Sequence, residues 1–234
     1  MCYTINMLLL GGNGENRSLD VSQHIGIDSL KVECANIPDK HLTTVGEECL
    51  SLLEMSDVIA VVVDTPSLME KESKAFPNQV NRIKEILDLL HNVTGDEKKV
   101  IFAPVKCEKW MQERRMKEVL DKLVSVYHSF FRSLRSSNMI ECCIIPTVSI
   151  EDALQHCDQL LWHTIGYMAK KWAAETKSMR RLGTRYLMPT KSENIAKRME
   201  ELEREGVVVN NSGYISIDNW YEIPVIMEKF DDIG

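Results

Sequence analysis

Three stretches of the chain are apolar almost without interruption, and the segments between them run in helical rhythm. Asp57 to Asp64, Lys99 to Val105 and Ile140 to Pro146 are rich in β-branched side chains. Runs of this length predict strands buried on both faces, as in a parallel sheet covered by helices. Thr44 to Met55 carries Val45, Cys49, Leu50, Leu52 and Leu53. Val80 to His91 carries Val80, Ile83, Ile86, Leu87 and Leu90, and Trp110 to Leu134 carries Met116, Val119, Leu120, Leu123, Tyr127 and Phe130. These spacings predict amphipathic helices. Strand–helix alternation with short connections predicts a right-handed, doubly wound sheet. Ligands of such folds bind at the carboxyl ends of the strands, here Asp64, Lys106 and Thr147 to Ser149.

The flanks read differently. Tyr3 to Leu10 and Ser29 to Asn36 both have strand character, and between them lies the turn-rich stretch Gly11 to Ser18. A helix is expected from Asp158 to about Thr176, with a basic last turn at Lys170 and Lys171 that suits the helix dipole. Ser178 to Thr190 is basic and irregular. A charged helix follows from Ser192 to about Glu205, stopped by Gly206. Val207 to Val209 and Tyr214 to Ile217 are expected to pair as a hairpin across Asn210 to Gly213. The domain boundary is therefore drawn at 177, with a body over 1–177 and a C-terminal helix-and-hairpin extension over 178–234. Trp220, Tyr221 and Ile223 give that extension apolar weight for docking on a partner or on the body.

Composition narrows the function classes. The chain has 234 residues, 44% of them hydrophobic and 27% charged, which suits a folded globular protein. Its formal net charge of −7 argues against bulk binding to nucleic acid or anionic membrane. The helix from Ser192 and the hairpin after it resemble a recognition helix with a wing, but its acidic residues outnumber Lys197, Arg198 and Arg204, so nucleic acid is not expected as a partner. No apolar run approaches the roughly 18 residues of a membrane span. The N-terminus lacks a basic lead and long apolar core, and seven cysteines without a CxxC suggest a reduced, cytoplasmic protein. Cys142, Cys143, His156, Cys157 and His163 match no usual zinc spacing, so no metal site is expected. Cys107 follows Lys106, whose charge would lower a thiol pKa, but no His–acid pair supports a nucleophile. No catalytic residue is assigned.

The strand ending at Val105 runs directly into Lys106-Cys107-Glu108. A carboxylate can accept a bidentate pair of hydrogen bonds from guanine N1 and N2, which adenine cannot supply. Alone, a Lys-x-acid tripeptide is common on surfaces. Taken with the order of its neighbours, it makes the stretch from about Ser29 to Lys171 resemble the TRAFAC-type, Ras-like P-loop GTPases, above all divergent bacterial members with a Lys-Cys-Glu motif. The resemblance implies that Lys106 lies over the nucleotide, Glu108 reads the base, and Ser149 supports it from the loop Thr147-Val148-Ser149.

The same resemblance implies a disabled phosphate side. Asn36-Ile37-Pro38-Asp39 stands where the family has Asp-x-Pro-Gly, so Asn36 replaces a magnesium-directed carboxylate and Asp39 replaces a glycine. An amide is a poorer magnesium partner, and a carboxylate there repels phosphate. Gly11 to Ser18 has the length of a phosphate loop and ends in Ser18, but Asn16 replaces the second glycine and Arg17 the lysine. Two readings stay open. The stretch is either a degenerate phosphate loop or, as the short distance to Ser29 favours, the loop of a hairpin joining the family's second and third strands, the chain then starting partway into the domain. The expected fold is α/β, a three-layer Ras-like P-loop NTPase fold with a mostly parallel sheet plus the small α+β extension. The expected function is a GTPase-like regulatory or scaffolding subunit that binds GTP or GDP, with magnesium binding disfavoured, hydrolysis impaired, and a protein partner. The alternative is a protein-interaction module without nucleotide binding.

Overall fold

The computed structural model describes residues 3–11, 15–27, 29–37, 47–70, 76–93, 97–134, 139–156, 158–181, 191–209, 212–217 and 221–226. Among them the strands are β1 (Tyr3–Leu10), β2 (Arg17–Asp20), β3 (Leu30–Ile37), β4 (Val58–Asp64), β5 (Lys98–Val105), β6 (Ile140–Ile144), β7 (Ser212–Ile217) and β8 (Tyr221–Ile226). They form one sheet in the order β2-β3-β1-β4-β5-β6-β8-β7. The six inner strands run parallel, and the edge strands β2 and β7 are antiparallel to their neighbours. β5 is buried at every position; the apolar run Val100 to Val105 accounts for six of these positions, and Lys98 and Lys99 are buried polar residues at its start.

Helices cover both faces, and strand alternation assigns the side chains. One core gathers Leu8, Leu10, Ile59, Val61, Phe102 and Ile144 under α2 (Glu47–Met55), α4 (Phe76–Val93), α6 (Met116–Val126) and α7 (His128–Ser133). Phe102 sits among Tyr127, Phe130 and Phe131, with ring centroids 4.7–5.8 Å apart. The other core gathers Ile5, Met7, Val32, Ile101 and Cys143 under α8 (Ile150–Gln155), α9 (Gln159–Arg181) and α10 (Lys191–Arg204). The α/β class and the mostly parallel sheet are as expected. No described helix is long and apolar enough to cross a membrane.

Four expectations change. Trp110 to Leu134 is not one helix. It breaks into α5 (Glu108–Gln112), α6 and α7, because Arg114 takes a left-handed φ of 56° and Tyr127 leaves helical geometry. The hairpin lies later than expected: β7 and β8 form it, while Gln159 takes the polar groups of Val207 and Val209 that would have paired as a strand. Gly11 to Ser18 is not the loop of a hairpin. β1 and β3 are parallel neighbours, and β3 instead makes its hairpin with β2, over the short α1 (Ser22–Ile25) and Gly26 at φ 73°. Finally, the described elements after residue 177 join the sheet and the core. β8 extends the sheet beside β6, Ile223 and Val225 enter one core, and Ile195, Met199 and Leu202 of α10 enter the other. These three α10 residues recur at i, i+4 and i+7, one stripe of a helix.

Candidate functional site

The carboxyl edge of the sheet is organised around the ends of β4, β5 and β6. The Lys106 amide donates to Val148 O at 2.9 Å, and the Thr147 amide donates to Pro104 O at 2.9 Å. These bonds hold the loop after β6 against the loop after β5, so Lys106, Glu108 and Ser149 occupy one corner of the molecule. Lys106 turns the chain with a left-handed φ of 57°, uncommon for a side chain of its size. Glu108 opens α5, where the N-terminal end of the helix favours a carboxylate. Cys107 between them is buried, with its sulfur 3.1 Å from Thr65 Oγ1. Burial pushes its thiol up to about 11, against the lowering expected from Lys106.

The side chains of Lys106, Ser149, Arg17 and Ser18 each already have a carboxylate of their own chain. Lys106 Nζ pairs with Asp64 Oδ1 at 2.5 Å. Asp64 also caps α3 (Thr65–Met69) through the Ser67 amide and hydroxyl. Burial opposes ionisation of Asp64, but Lys106 and Ser67 outweigh it and hold the carboxyl below its ordinary value. Ser149 caps α8, accepting from the Asp152 amide and donating its hydroxyl to Asp152 Oδ2 at 2.7 Å. Arg17 pairs with Glu151 at 2.8 Å, and Ser18 donates to Glu33 at 2.7 Å.

Arg17 and Ser18 do not fit a phosphate-and-magnesium site. They are consecutive residues of β2, so their side chains leave opposite faces of the sheet. Arg17 stands opposite Cys34 and Ser18 opposite Glu33. A phosphate loop turns its lysine toward the β- and γ-phosphates and its Ser or Thr toward the magnesium of the same nucleotide. Asn36 lies near the end of β3, where its backbone amide donates to Asn16 Oδ1 at 2.9 Å, holding Asn16 against that strand. Asp39 lies outside the described residues. Among the described residues no three His, Cys, Asp or Glu side chains gather as a metal site.

A second polar site lies at the opposite, amino end of β5 and β6. Lys99, second residue of β5, is 4% exposed and bonds Glu141 Oε1 at 2.7 Å. Its ammonium is 5.5 Å from the centre of the Tyr167 ring. Burial opposes the Lys99 charge, and Cys143 and Glu141 more than offset it, so its pKa is raised. Burial pushes the Cys143 thiol itself up to about 11, so Glu141 is the charged neighbour that holds the ammonium. His163 Nε2 lies 3.2 Å from Val209 O, which can only accept, so the proton sits on Nε2 and Nδ1 is left as an acceptor. Burial first and the Lys99 charge second push His163 down to about 4. The sequence gives little sign of this cluster. Lys99 opens a run read only as a buried strand, and Tyr167 falls inside the helix expected from Asp158, with no motif that marks either.

Comparisons with known proteins add little. No protein-family model matches the chain, and no curated protein matches it. Among solved structures, a mutation variant of SsGBP superposes with a TM-score of 0.40 at 11% identity, covering 74% of this chain and 57% of that one. The chain thus spans little more than half the length of SsGBP. An uncharacterised protein from Capnocytophaga ochracea superposes with a TM-score of 0.27 at 12% identity, over 86% of this chain and 73% of that one. Neither likeness carries a functional argument.

Proposed function

We propose that the chain is a divergent GTPase-like domain that reads a guanine base at the carboxyl edge of its sheet, does not hydrolyse GTP efficiently, and serves as a regulatory or scaffolding subunit for a protein partner. The observation that carries this reading is the junction of the β5 and β6 loops through Lys106 and Val148. It sets a lysine, a carboxylate and a serine-bearing loop together at strand ends where doubly wound folds bind ligands. Glu108 supplies the two acceptor oxygens that guanine N1 and N2 need.

The phosphate side supports impairment. Phosphoryl transfer depends on a metal and on positioned positive charge. Arg17 and Ser18 diverge across β2 and are held by Glu151 and Glu33. The purified chain with magnesium is therefore expected to show no GTP turnover above background. Turnover that disappears in Arg17→Ala would overturn this part of the reading.

Base recognition is tested with fluorescent GDP and ADP. GDP is expected to bind better, and Glu108→Ala to abolish the preference, at a cost on the order of 2–4 kcal/mol for a charged bidentate pair. Equal affinity for both nucleotides, or affinity for neither, defeats the reading. One observation favours the alternative of an interaction module without nucleotide: Lys106 is already paired with Asp64. A chain that binds neither nucleotide yet keeps its fold would support that alternative.

A further inference from the structure

The cavity at the amino end of β5 and β6 holds buried polar groups whose bonding capacity is not used. It measures about 170 Å³ and lies between the sheet, α9, α10 and the chain beyond α10. Lys99 and Tyr167 line it. Tyr167 is 8% exposed, and its hydroxyl is buried without a hydrogen-bond partner. An ammonium has three N–H donors, and one from Lys99 goes to Glu141. A buried polar group left unpaired is costly, and native proteins seldom keep one without a reason.

The open capacity of the buried Lys99–Tyr167 pair is donor capacity, the remaining N–H groups of Lys99 and the O–H of Tyr167, and His163 Nδ1 adds an open acceptor. A ligand that completes it must bring acceptor oxygens. The charge facing the cavity agrees. Lys99 and Lys170 are cationic, Glu141 and Glu203 anionic, and His163 neutral. Within the Lys99–Glu141 pair the Glu141 side chain is 58% exposed and screened by water, whereas that of Lys99 is 5% exposed, so of these two the ammonium acts inside the low-dielectric wall; Lys170 is exposed and Glu203 half-buried. The rest of the wall is apolar, with Trp162, Met199, Val208 and Ile226. Such a mixture of apolar lining and a few convergent polar groups is the usual make-up of a small-molecule site.

We propose that this cavity binds a small monocarboxylate, its carboxylate accepting from Lys99 and Tyr167 and its hydrocarbon or aryl body packed against Met199, Val208 and Ile226. The site stands apart from the proposed guanine site at the other end of the strands and does not depend on it. Its walls come from both the 1–177 body and the chain after it, so an occupant bridges the two. The occupant also fixes α10 against the sheet.

Benzoate is the probe, with benzamide as its neutral counterpart, measured by calorimetry on the full chain. Benzoate is expected to bind saturably and benzamide on the order of tenfold more weakly, as loss of a charged acceptor requires. Tyr167→Phe deletes only the unpartnered hydroxyl, so the free protein should melt no lower while benzoate affinity drops several-fold. Glu141→Gln, at an exposed position, removes the carboxylate that competes for Lys99 and should tighten benzoate several-fold even if the Tyr167 variant misfolds. Absence of saturable binding to the folded chain, equal binding of benzoate and benzamide, or unchanged affinity in folded Tyr167→Phe and in Glu141→Gln overturns the proposal.

Discussion

The two ends of the sheet handle their polar groups in opposite ways. At the carboxyl end, Lys106, Arg17, Ser18 and Ser149 each have a carboxylate from the same chain, and Lys106 and Arg17 are partly solvated. Exposed pairs of this kind contribute about 0–1 kcal/mol, so a ligand can displace them cheaply. At the amino end, Lys99 and Tyr167 are buried, and the tyrosine hydroxyl has no partner. Resemblance directs attention to the first end, and hydrogen-bond accounting directs it to the second. Motif order and unmet bonding capacity are thus independent signals, and here they fall at opposite ends of the same strands.

The sharpest way to break the comparison is to remove the wall that only the amino end has. A fragment ending at Lys177 loses α10 and the β7–β8 hairpin. Because Ile195, Met199, Leu202, Ile223 and Val225 are buried in the two cores, the fragment is expected to be insoluble or to melt without a cooperative transition. Ile195→Ala alone should cost about 2–5 kcal/mol in denaturant unfolding. A soluble 1–177 fragment with a sharp transition would mean that the extension is a separable unit, as drawn from sequence.

A smaller effect comes from His163. Its folded pKa of about 4 lies below the ordinary 6.5, so the native state binds fewer protons than the unfolded chain between these values. Its contribution is fully present above pH 6.5 and falls away as pH drops toward 4, by on the order of 3 kcal/mol. His163→Asn should flatten that part of the stability-versus-pH curve. Equal slopes for the two proteins would show that the imidazole is not kept neutral by burial.

The carboxyl end should respond least. Asp64→Ala removes the cap of α3 and the Lys106 pair and should cost about 1 kcal/mol. Arg17→Ala breaks one solvated pair and should change stability by under about 1 kcal/mol. A large loss in Arg17→Ala would mean that this end is a structural network, which would sharpen the case against ligand binding there.

Much of the fold was legible because it rests on long apolar runs. Val58 to Val63 of β4 and Val100 to Val105 of β5 have no polar interruption, so period and length alone identify them. The break at Arg114 was hidden because an arginine in left-handed geometry carries no glycine signal. The place of α10 was obscured by its charge, although Ile195, Met199 and Leu202 already formed a stripe. Lys106, Glu108 and Ser149 were singled out by their order after strands, and the structure shows a backbone bond between the loops after β5 and β6, from Lys106 N to Val148 O. Arg17 and Ser18 could be judged only once β2 was known to be a strand, since adjacent residues share a loop's inner surface but part across a strand.

The central claim, a guanine-reading carboxyl edge, is tested most directly by amide NMR of the labelled full chain titrated with GDP and then ADP. The account predicts saturable GDP shifts at Lys106, Glu108 and Ser149, weaker ones with ADP, and still amides around Lys99 and Tyr167. Indistinguishable responses to the two nucleotides at those three residues, or no response there at all, would contradict it.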